Sequence, residues 1–551
     1  MSAFNAAPRI WLDASPDTDT GWWRGAVTYQ IYPRSFLDST GDGMGDLRGI
    51  TRKLDYVASL GVDAIWICPF FPSPMRDFGY DVSDYCEVDP RFGSLADFDE
   101  LVRRAHGLGL KVMIDQVWSH TSDEHAWFAE SRRERGGPRD DWYVWADPKA
   151  DGSPPNNWLS VFGGPAWHWE PRRRQYYLHH FLASQPQLNL RNPQVVNALF
   201  AAGRFWLDRG VDGFRLDAVD FMFHDPMLRD NPPKFRTEGP APTRPFGMQQ
   251  HVHDMLHPDL LDFFAQVRGL MAAYPGSTTL AEVSSEPGAL GRCALYTESG
   301  SGRLDMAYTL ELMKRDLTAA SLRTALADAG DNGCICWAFS NHDVVRATTR
   351  WGNGDPASFG RLLLPLLLSM PGATCLYQGE ELGLAEAEID PEDMVDPYGI
   401  AFYPAFKGRD GARTPMPWQS GPAGAGFTEA LRPWLPIGEG HRALAVDRQD
   451  DDPNSLLNFA RRFITWRGQQ PALRIGSARS LVLPEPIFAI ERRTEGQAIL
   501  ALFNLGLEEV TLPRSALPGF VPFEQINSLA RLDGETLYLG GHGFLFARLT
   551  G

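Results

Sequence analysis

Short apolar runs alternate along this chain with longer segments in which apolar residues recur every third or fourth position. The short runs are typical of buried strands and the longer segments of amphipathic helices. We predict strands at 26–33, 63–69, 111–117, 213–219, 278–284, 304–312, 334–340 and 373–379. Strands and helices that alternate eight times predict an α/β fold, a (β/α)8 barrel of the TIM type with a parallel sheet.

Two segments interrupt this alternation. Residues 121–185 are rich in Trp, Pro, Gly and Asp, which predicts a domain inserted after the third strand. A second insertion is expected at 380–440. The barrel domain is therefore predicted to occupy residues 22–120 and 186–475.

The two ends of the chain differ from the barrel. Residues 1–21 lack the apolar core of a signal peptide, so we expect a flexible tail there. Residues 476–551 contain short alternating runs between turns, which predict a small antiparallel β domain. The most apolar run, 362–370, is far shorter than the about 20 residues that a membrane-spanning helix needs. We therefore expect no association with a membrane.

Composition narrows the possible partners. The formal net charge is −17, which argues against nucleic acids and anionic lipids as ligands. The six cysteines lack the spacing of a zinc site, and most of them lie in apolar runs. Buried free thiols are expected in a reducing compartment, so we predict a cytoplasmic protein. We also expect a monomer or a homodimer.

Polar residues gather where the predicted strands end. In such a barrel the carboxyl ends of all strands meet at one rim, which is where active sites lie. Each of these residues has a structural interpretation when taken alone, but their coincidence at one rim favours a catalytic pocket. They are Asp77, Tyr80, Asp115, His120, Arg215, Asp217, Glu282, His342 and Asp343.

Several acids at one pocket, with no Ser–His pair, reactive thiol or phosphate loop, favour glycoside chemistry. A retaining mechanism needs a carboxylate nucleophile and a protonated acid roughly 5 Å apart. Arg215 and Asp217 are two residues apart on a strand, so they face the same side, and we expect Arg215 to hold the pKa of Asp217 low. Glu282 has no cation beside it in sequence, so burial should raise its pKa, and Asp343 could stabilise positive charge in the transition state.

The loop at 38–46 (DSTGDGMGD) has oxygen-bearing side chains at the spacing that a hard cation requires. It predicts a structural Ca²⁺ or Mg²⁺ ion. The alternative is an Asp- and Gly-rich turn in which Asp46 is the N-cap of the next helix.

Five motifs make the chain similar to a known family. They are DQVWSH at 115–120, GFRLDAV at 213–219, AEVS at 281–284, SNHD at 340–343 and RTPMPW at 413–418. From Trp22 onwards the sequence resembles glycoside hydrolase family 13, the α-amylase superfamily, and within it the α-glucosidase and oligo-1,6-glucosidase branch.

The resemblance implies a role for each matching position. Asp217 would be the nucleophile, Glu282 the general acid and base, and Asp343 the transition-state stabiliser. The residues implied around the non-reducing glucose are Asp77, Tyr80, His120, Phe162, Phe181, Arg215, His342 and Arg413. The implied cation ligands are Asp38, Thr40, Asp42, Asp46 and the carbonyl of Met44.

Four positions qualify the resemblance. Thr40 and Ser119 stand where Asn is usual in the family, and Gln187 stands where Asp is usual. Ala218 follows the implied nucleophile. In having Ala at this position, the chain resembles the enzymes of this branch that prefer α-1,4 over α-1,6 links.

The preferred interpretation is a retaining, exo-acting α-glucosidase of short α-glucosides, with a preference for maltose-like substrates and possible transglucosylation. An α-glucosyltransferase or a sucrose-directed hydrolase would use the same residues. A non-catalytic sugar-binding barrel is a remote alternative, because all three acids are present. No organic cofactor is expected.

Overall fold

The computed structural model describes residues 21–235, 244–284, 286–330, 334–352 and 356–550. The predicted tail at 1–21 lies outside the described residues, apart from Gly21. In the part of the chain that is described, none of the helices is long and apolar enough to cross a membrane.

A parallel barrel forms the centre of the molecule. Its strands, called the first to the eighth in chain order, are Val27–Ile31, Ala64–Ile67, Lys111–Gln116, Gly213–Leu216, Thr278–Val283, Met306–Thr309, Cys336–Trp337 and Ala373–Tyr377. Strands that are neighbours in chain order pair from the first to the sixth, the seventh pairs with the eighth, and the eighth pairs with the first. A parallel bridge between Ala307 and Ile335 links the sixth strand to the start of the seventh. The predicted (β/α)8 fold is therefore confirmed.

Helices pack around the barrel. The longer ones are Leu47–Ser59, Leu95–Gly107, Pro193–Leu207, Asp259–Met271, Ala289–Tyr296, Ala319–Ala329, Pro356–Ser369 and Leu456–Gly468. Shorter helices are Ala126–Ser131, Ala347–Arg350, Pro397–Phe402, Val446–Asp451 and Pro471–Ile475. Local sequence explains where several of them begin: Asp46 caps the first helix, and Ser94 and Asp97 form a capping box on the second.

Two smaller sheets lie outside the barrel. Within 121–185, the strands Trp145–Ala146, Trp167–Glu170 and Gln175–Leu178 form an antiparallel sheet. After the barrel, a second antiparallel sheet contains Ser477–Leu481, Ile487–Thr494, Gln497–Asn504, Val510–Pro513, Phe520–Pro522, Ser528–Asp533 and Thr536–Leu549. The second sheet was expected from its short alternating runs between turns, whereas for 121–185 only an inserted domain was predicted. All six cysteines are free.

The fourth barrel strand ends earlier than expected. It was predicted to reach residue 219, but it stops at Leu216. Ala218 adopts a left-handed conformation (φ 43°, ψ 47°), which turns the chain into a 3-10 helix at Val219–Phe221. Asp217 therefore lies at the junction of strand and turn, at the rim of the barrel.

A buried arginine joins the second antiparallel sheet to the barrel. Arg492 is fully buried, and its guanidinium donates hydrogen bonds to the carbonyls of Ser369, Met370, Gly476 and Ser477. The first two carbonyls lie at the end of helix Pro356–Ser369, where a cation is favoured by the helix dipole. Burial lowers the pKa of Arg492 to about 9.

We expect Arg492→Met to lower the free energy of unfolding by about 3 kcal/mol, because it leaves buried carbonyls without donors. Chemical denaturation measures the difference. The control is Arg531→Met, at a side chain that is 59% exposed, which should change the value by less than about 0.5 kcal/mol. Equal effects in the two variants would contradict this role.

Candidate active site

One guanidinium connects three acids at the rim of the barrel. Nη1 of Arg215 donates to Oδ1 of Asp115 at 2.5 Å and to Oδ1 of Asp217 at 2.6 Å. Nη2 donates to Oε2 of Glu282 and, at 2.8 Å, to the hydroxyl of Tyr308. The Arg215 side chain is 0% exposed. Carboxylates from the third, fourth and fifth strands therefore share one buried cation.

Sharing this cation determines how the acids ionise. Burial raises the pKa of Glu282 to about 8 and that of Asp217 to about 7, although the charge of Arg215 opposes both shifts. The expectation that Arg215 holds the pKa of Asp217 low is wrong, because burial, together with the charges of Asp115 and Asp343, outweighs the charge of Arg215. Both carboxyls therefore hold a proton to a higher pH than an exposed acid does.

Asp343 has a different environment. Nη2 of Arg413 donates to Oδ1 of Asp343 at 2.7 Å, and Nη1 of Arg409 donates to the same oxygen at 3.2 Å. Burial favours protonation of this carboxyl, but His342, Arg409 and Arg413 hold its pKa well below the usual range. Asp343 is therefore an anion throughout the neutral range.

Arg409 also closes one side of the pocket. Its Nη2 donates to Oδ1 of Asp77 at 2.8 Å and to Oδ1 of Asp396 at 2.7 Å. The side chain is 8% exposed. One residue from the second insertion thus ties the loop after the second strand to Asp343, at the end of the barrel.

His342 offers a hydrogen-bond donor to the pocket. Nε2 of Gln30 donates to Nδ1 of His342 at 2.8 Å, so the ring proton lies on Nε2. Burial lowers the pKa of His342 to about 3, so the ring is neutral. Within the described residues, Nε2 has no hydrogen-bond partner. The ring stacks on Tyr80, with centroids 5.3 Å apart.

His120 is held by its neighbours. Its Nε2 lies 2.9 Å from the carbonyl oxygen of Tyr80, and its Nδ1 lies 2.8 Å from the hydroxyl of Ser119. Ser119, which departs from the family pattern, therefore still orients this ring. Gln187 likewise has a structural partner, since its side-chain amide donates to the carbonyl of Phe221 at 3.0 Å.

Aromatic rings line the pocket next to these polar groups. The ring of Phe181 lies 5.3 Å from that of His120, and Phe162 lies 5.9 Å from Phe181. Phe162 also stacks on Tyr398 at 4.6 Å. All predicted catalytic and substrate residues therefore belong to one network of contacts.

Sequence reasoning missed several residues of this network, among them Tyr308, Gln30 and four from irregular segments. Three belong to the second insertion: Arg409, Asp396 and Tyr398. The fourth is Gln185, whose amide donates to Oδ2 of Asp77 at 3.0 Å. The available signal was weak: Arg409 precedes the RTPMPW motif by four residues, and Gln185 lies two residues before Gln187.

The structure does not test the cation predicted at 38–46, which stays a prediction. Asp38 accepts three backbone N–H groups of its own loop at 2.7 to 2.9 Å and the hydroxyl of Thr40 at 3.2 Å. Asp42 accepts the N–H of Met44, and Asp46 caps the following helix. Over the described ranges, no group of three or more His, Cys, Asp or Glu residues is placed to hold a metal. The loop as described fits the alternative, a turn with Asp46 as N-cap.

Comparisons with known proteins identify the family of the chain. Residues 30–476 match the family model described as the catalytic domain of α-amylase. The chain belongs to the α-amylase family. A probable α-glucosidase of Rhizobium meliloti (strain 1021) is 51% identical, over 97% of this chain and 98% of that protein. This α-amylase family member is a glycoside hydrolase.

Other relatives of this family member differ in the reaction they are named for. An oligo-1,6-glucosidase of Heyndrickxia coagulans is 35% identical, over 89% of this chain and 93% of that protein. The crystal structure of an α-glucosyl transfer enzyme has a TM-score of 0.93 at 53% identity, covering 97% of this chain and 100% of that one. A trehalulose synthase from Pseudomonas mesoacidophila MX-45 has a TM-score of 0.85 at 31% identity, covering 96% and 99%.

We expect kcat/KM of the wild type to follow a bell-shaped pH profile. Activity should fall at low pH as Asp217 takes up a proton and at high pH as Glu282 loses its proton, around the pKa values of about 7 and about 8. Glu282→Gln, assayed with α-glucosyl fluoride, whose leaving group needs little protonation, should lose the alkaline limb. The control, Asp55→Asn at an exposed carboxyl, should keep both limbs. An alkaline limb that persists in Glu282→Gln would argue against Glu282 as the acid.

Proposed function

We propose that this protein is a retaining, exo-acting α-glucosidase that removes glucose from the non-reducing end of short α-glucosides. The observation that carries the proposal is the pair Asp217 and Glu282 on adjacent nitrogens of Arg215. This arrangement keeps the two carboxyl groups close together, as a retaining pair roughly 5 Å apart requires.

In the proposed first step, a carboxylate oxygen of Asp217 attacks the anomeric carbon. Glu282 gives its proton to the glycosidic oxygen, and the bond from that oxygen to the anomeric carbon breaks. The result is a β-glucosyl ester of Asp217 and a free aglycone. Asp343, an anion held by Arg409 and Arg413, faces the positive charge that develops on the sugar ring.

In the second step, ionised Glu282 takes a proton from water, and the water oxygen attacks the anomeric carbon from the side that the aglycone has left. The ester bond breaks, Asp217 is released, and the glucose keeps its α configuration.

If an alcohol replaces water, the product is a new α-glucoside. Transfer is the second candidate function, and the likeness to the α-glucosyl transfer enzyme supports it.

The contacts of Arg409 support exo action. Arg409 bonds to Asp77, Asp343 and Asp396. In the proposed binding mode these bonds would occupy the side away from the aglycone, so that a chain would not extend past the non-reducing glucose. The α-1,4 preference rests on Ala218, whose backbone N–H donates to Oε2 of Glu282 at 3.2 Å. A small side chain at this position leaves space beside the acid for the aglycone.

The exo proposal predicts that blocking the non-reducing glucose abolishes cleavage. We expect maltotriose to release glucose, whereas maltotriose with a 4,6-ethylidene group on its non-reducing glucose should remain intact, because Arg409 leaves no space for the added group. Chromatography of the products measures this. Cleavage within the capped substrate would show an open cleft instead of a pocket.

The choice of reaction is tested by a time course of products from maltose, isomaltose and sucrose at equal concentration, followed by NMR. We expect α-glucose to appear first, and fastest from maltose. If β-glucose appears first, the enzyme inverts configuration and Asp217 is not the nucleophile. If new glucosides accumulate faster than glucose, or sucrose is used fastest, the catalytic residues stand but the acceptor or the substrate is different.

A further inference from the structure

Residues 244–256, called the strap below, cross the rim of the barrel next to Asp217. The N–H of Leu256 donates to the carbonyl of Asp220 at 2.8 Å, three residues after Asp217. The inserted domain holds the strap from the other side: Nε2 of His180 lies 2.8 Å from the carbonyl oxygen of Asp254, and Gln249 donates to the carbonyl of Asn157 at 2.7 Å. The strap therefore connects the inserted domain to the catalytic rim.

His251 in the strap is held in its charged form by geometry. Its Nδ1 lies 2.7 Å from Oδ2 of Asp254, and its Nε2 lies 2.8 Å from the carbonyl oxygen of Phe246. A backbone carbonyl can only accept a hydrogen bond, so Nε2 carries a proton, and beside an ionised Asp254 carboxylate Nδ1 carries one too. The side chains of His251 and Asp254 are 1% and 0% exposed. The strap thus contains a buried imidazolium–carboxylate pair.

The groups around His251 support this charge. Burial opposes it, but Asp254, the Phe246 carbonyl and Glu286, from the loop after the fifth strand, together raise the pKa of His251 above its usual value. His180 faces the pair from the inserted domain, and its own pKa is lowered, first by burial, so it adds no competing positive charge at neutral pH.

The imidazolium also supports a row of aromatic rings. His251 stacks on Phe246, with centroids 3.7 Å apart and planes at 17°. Phe246 lies 6.3 Å from Phe221, and Phe221 lies 5.1 Å from Phe181, which contacts His120 in the glucose pocket. The row leads from the glucose pocket, past the turn after Asp217, to the half-buried ring of Phe246.

We propose that His251 is a positioning residue whose bonds to Asp254 and Phe246 hold the strap against Phe221 and so shape the side of the pocket that receives the aglycone. Recognition of the second sugar then depends on a proton that takes no part in breaking the glycosidic bond. The inference rests on the proposed function for the location of the aglycone.

The test compares His251→Gln with wild type on two substrates. One is whichever of maltose, isomaltose and sucrose the wild type cleaves fastest, and the other is α-glucosyl fluoride, which has almost no aglycone. We expect KM for the disaccharide to rise about tenfold, as loss of one charge-assisted hydrogen bond produces. Kinetics with the fluoride should stay within about twofold. His168→Gln, at an exposed ring of the inserted domain, is the matched control and should change neither value.

The pH dependence of kcat/KM distinguishes the proposed role of His251 from a purely structural one. Because the pKa of His251 is raised, its cation is present at low pH and is lost as pH rises through that pKa. The advantage of wild type over His251→Gln in kcat/KM for the disaccharide should therefore be constant at low pH and disappear at high pH. An advantage that does not vary with pH, or an equal loss with both substrates, would overturn the proposal.

A measurement on the wild type avoids any problem with folding of the variant. In ¹⁵N NMR both ring nitrogens of His251 should remain protonated above the ordinary histidine pKa of about 6.5. Asp254→Asn should move the titration to lower pH. A ring that titrates at or below the ordinary value would overturn the proposal. If α-glucosyl fluoride is hydrolysed but no disaccharide is cleaved, the proposed function fails, and the NMR titration still decides the state of His251.

Discussion

The catalytic end of this barrel depends on one buried guanidinium. Arg215 lies among Asp115, Asp217 and Glu282, and without it three carboxyl groups would be buried with no cation in contact. Removing one partner from a buried charge network costs several kcal/mol, so the site and the local stability of the barrel are linked. The register of the sheet produces this arrangement, because it places Asp115 directly beside Arg215 on the neighbouring strand.

Because that cation is shared, the acids cannot all be ionised at neutral pH. Glu282 keeps its proton to about pH 8 and Asp217 to about pH 7, whereas Asp343 has arginines of its own and stays charged. One pocket therefore holds two carboxyls with raised pKa values, which share Arg215, and one anion, Asp343, which contacts two arginines of its own.

The wall of the pocket comes from segments that are far apart in the chain. Phe162 of the inserted domain stacks on Tyr398 of the second insertion. Arg409 lies 5.3 Å from the ring of Phe162, and Arg244 of the strap lies 4.9 Å from the ring of Tyr398. Cations on both sides of an aromatic pair are favourable contacts, and here they join three irregular segments around one site. Such segments can shape a pocket only when each is held by the others.

The barrel and the main acids can be predicted from the sequence. Apolar periodicity places the strands, and parallel strands bring Asp217, Glu282 and Asp343 to a common rim, so their proximity follows from topology alone. The ionisation of Asp217 and the contacts of Arg409 and His251, by contrast, depend on how the chain folds. The pKa of Asp217 depends on its burial and on the charged groups that folding brings around it, and the contacts of Arg409 and His251 form between loops without periodicity. A linear pattern records which residues alternate in and out of a core, but not which distant charges share a partner.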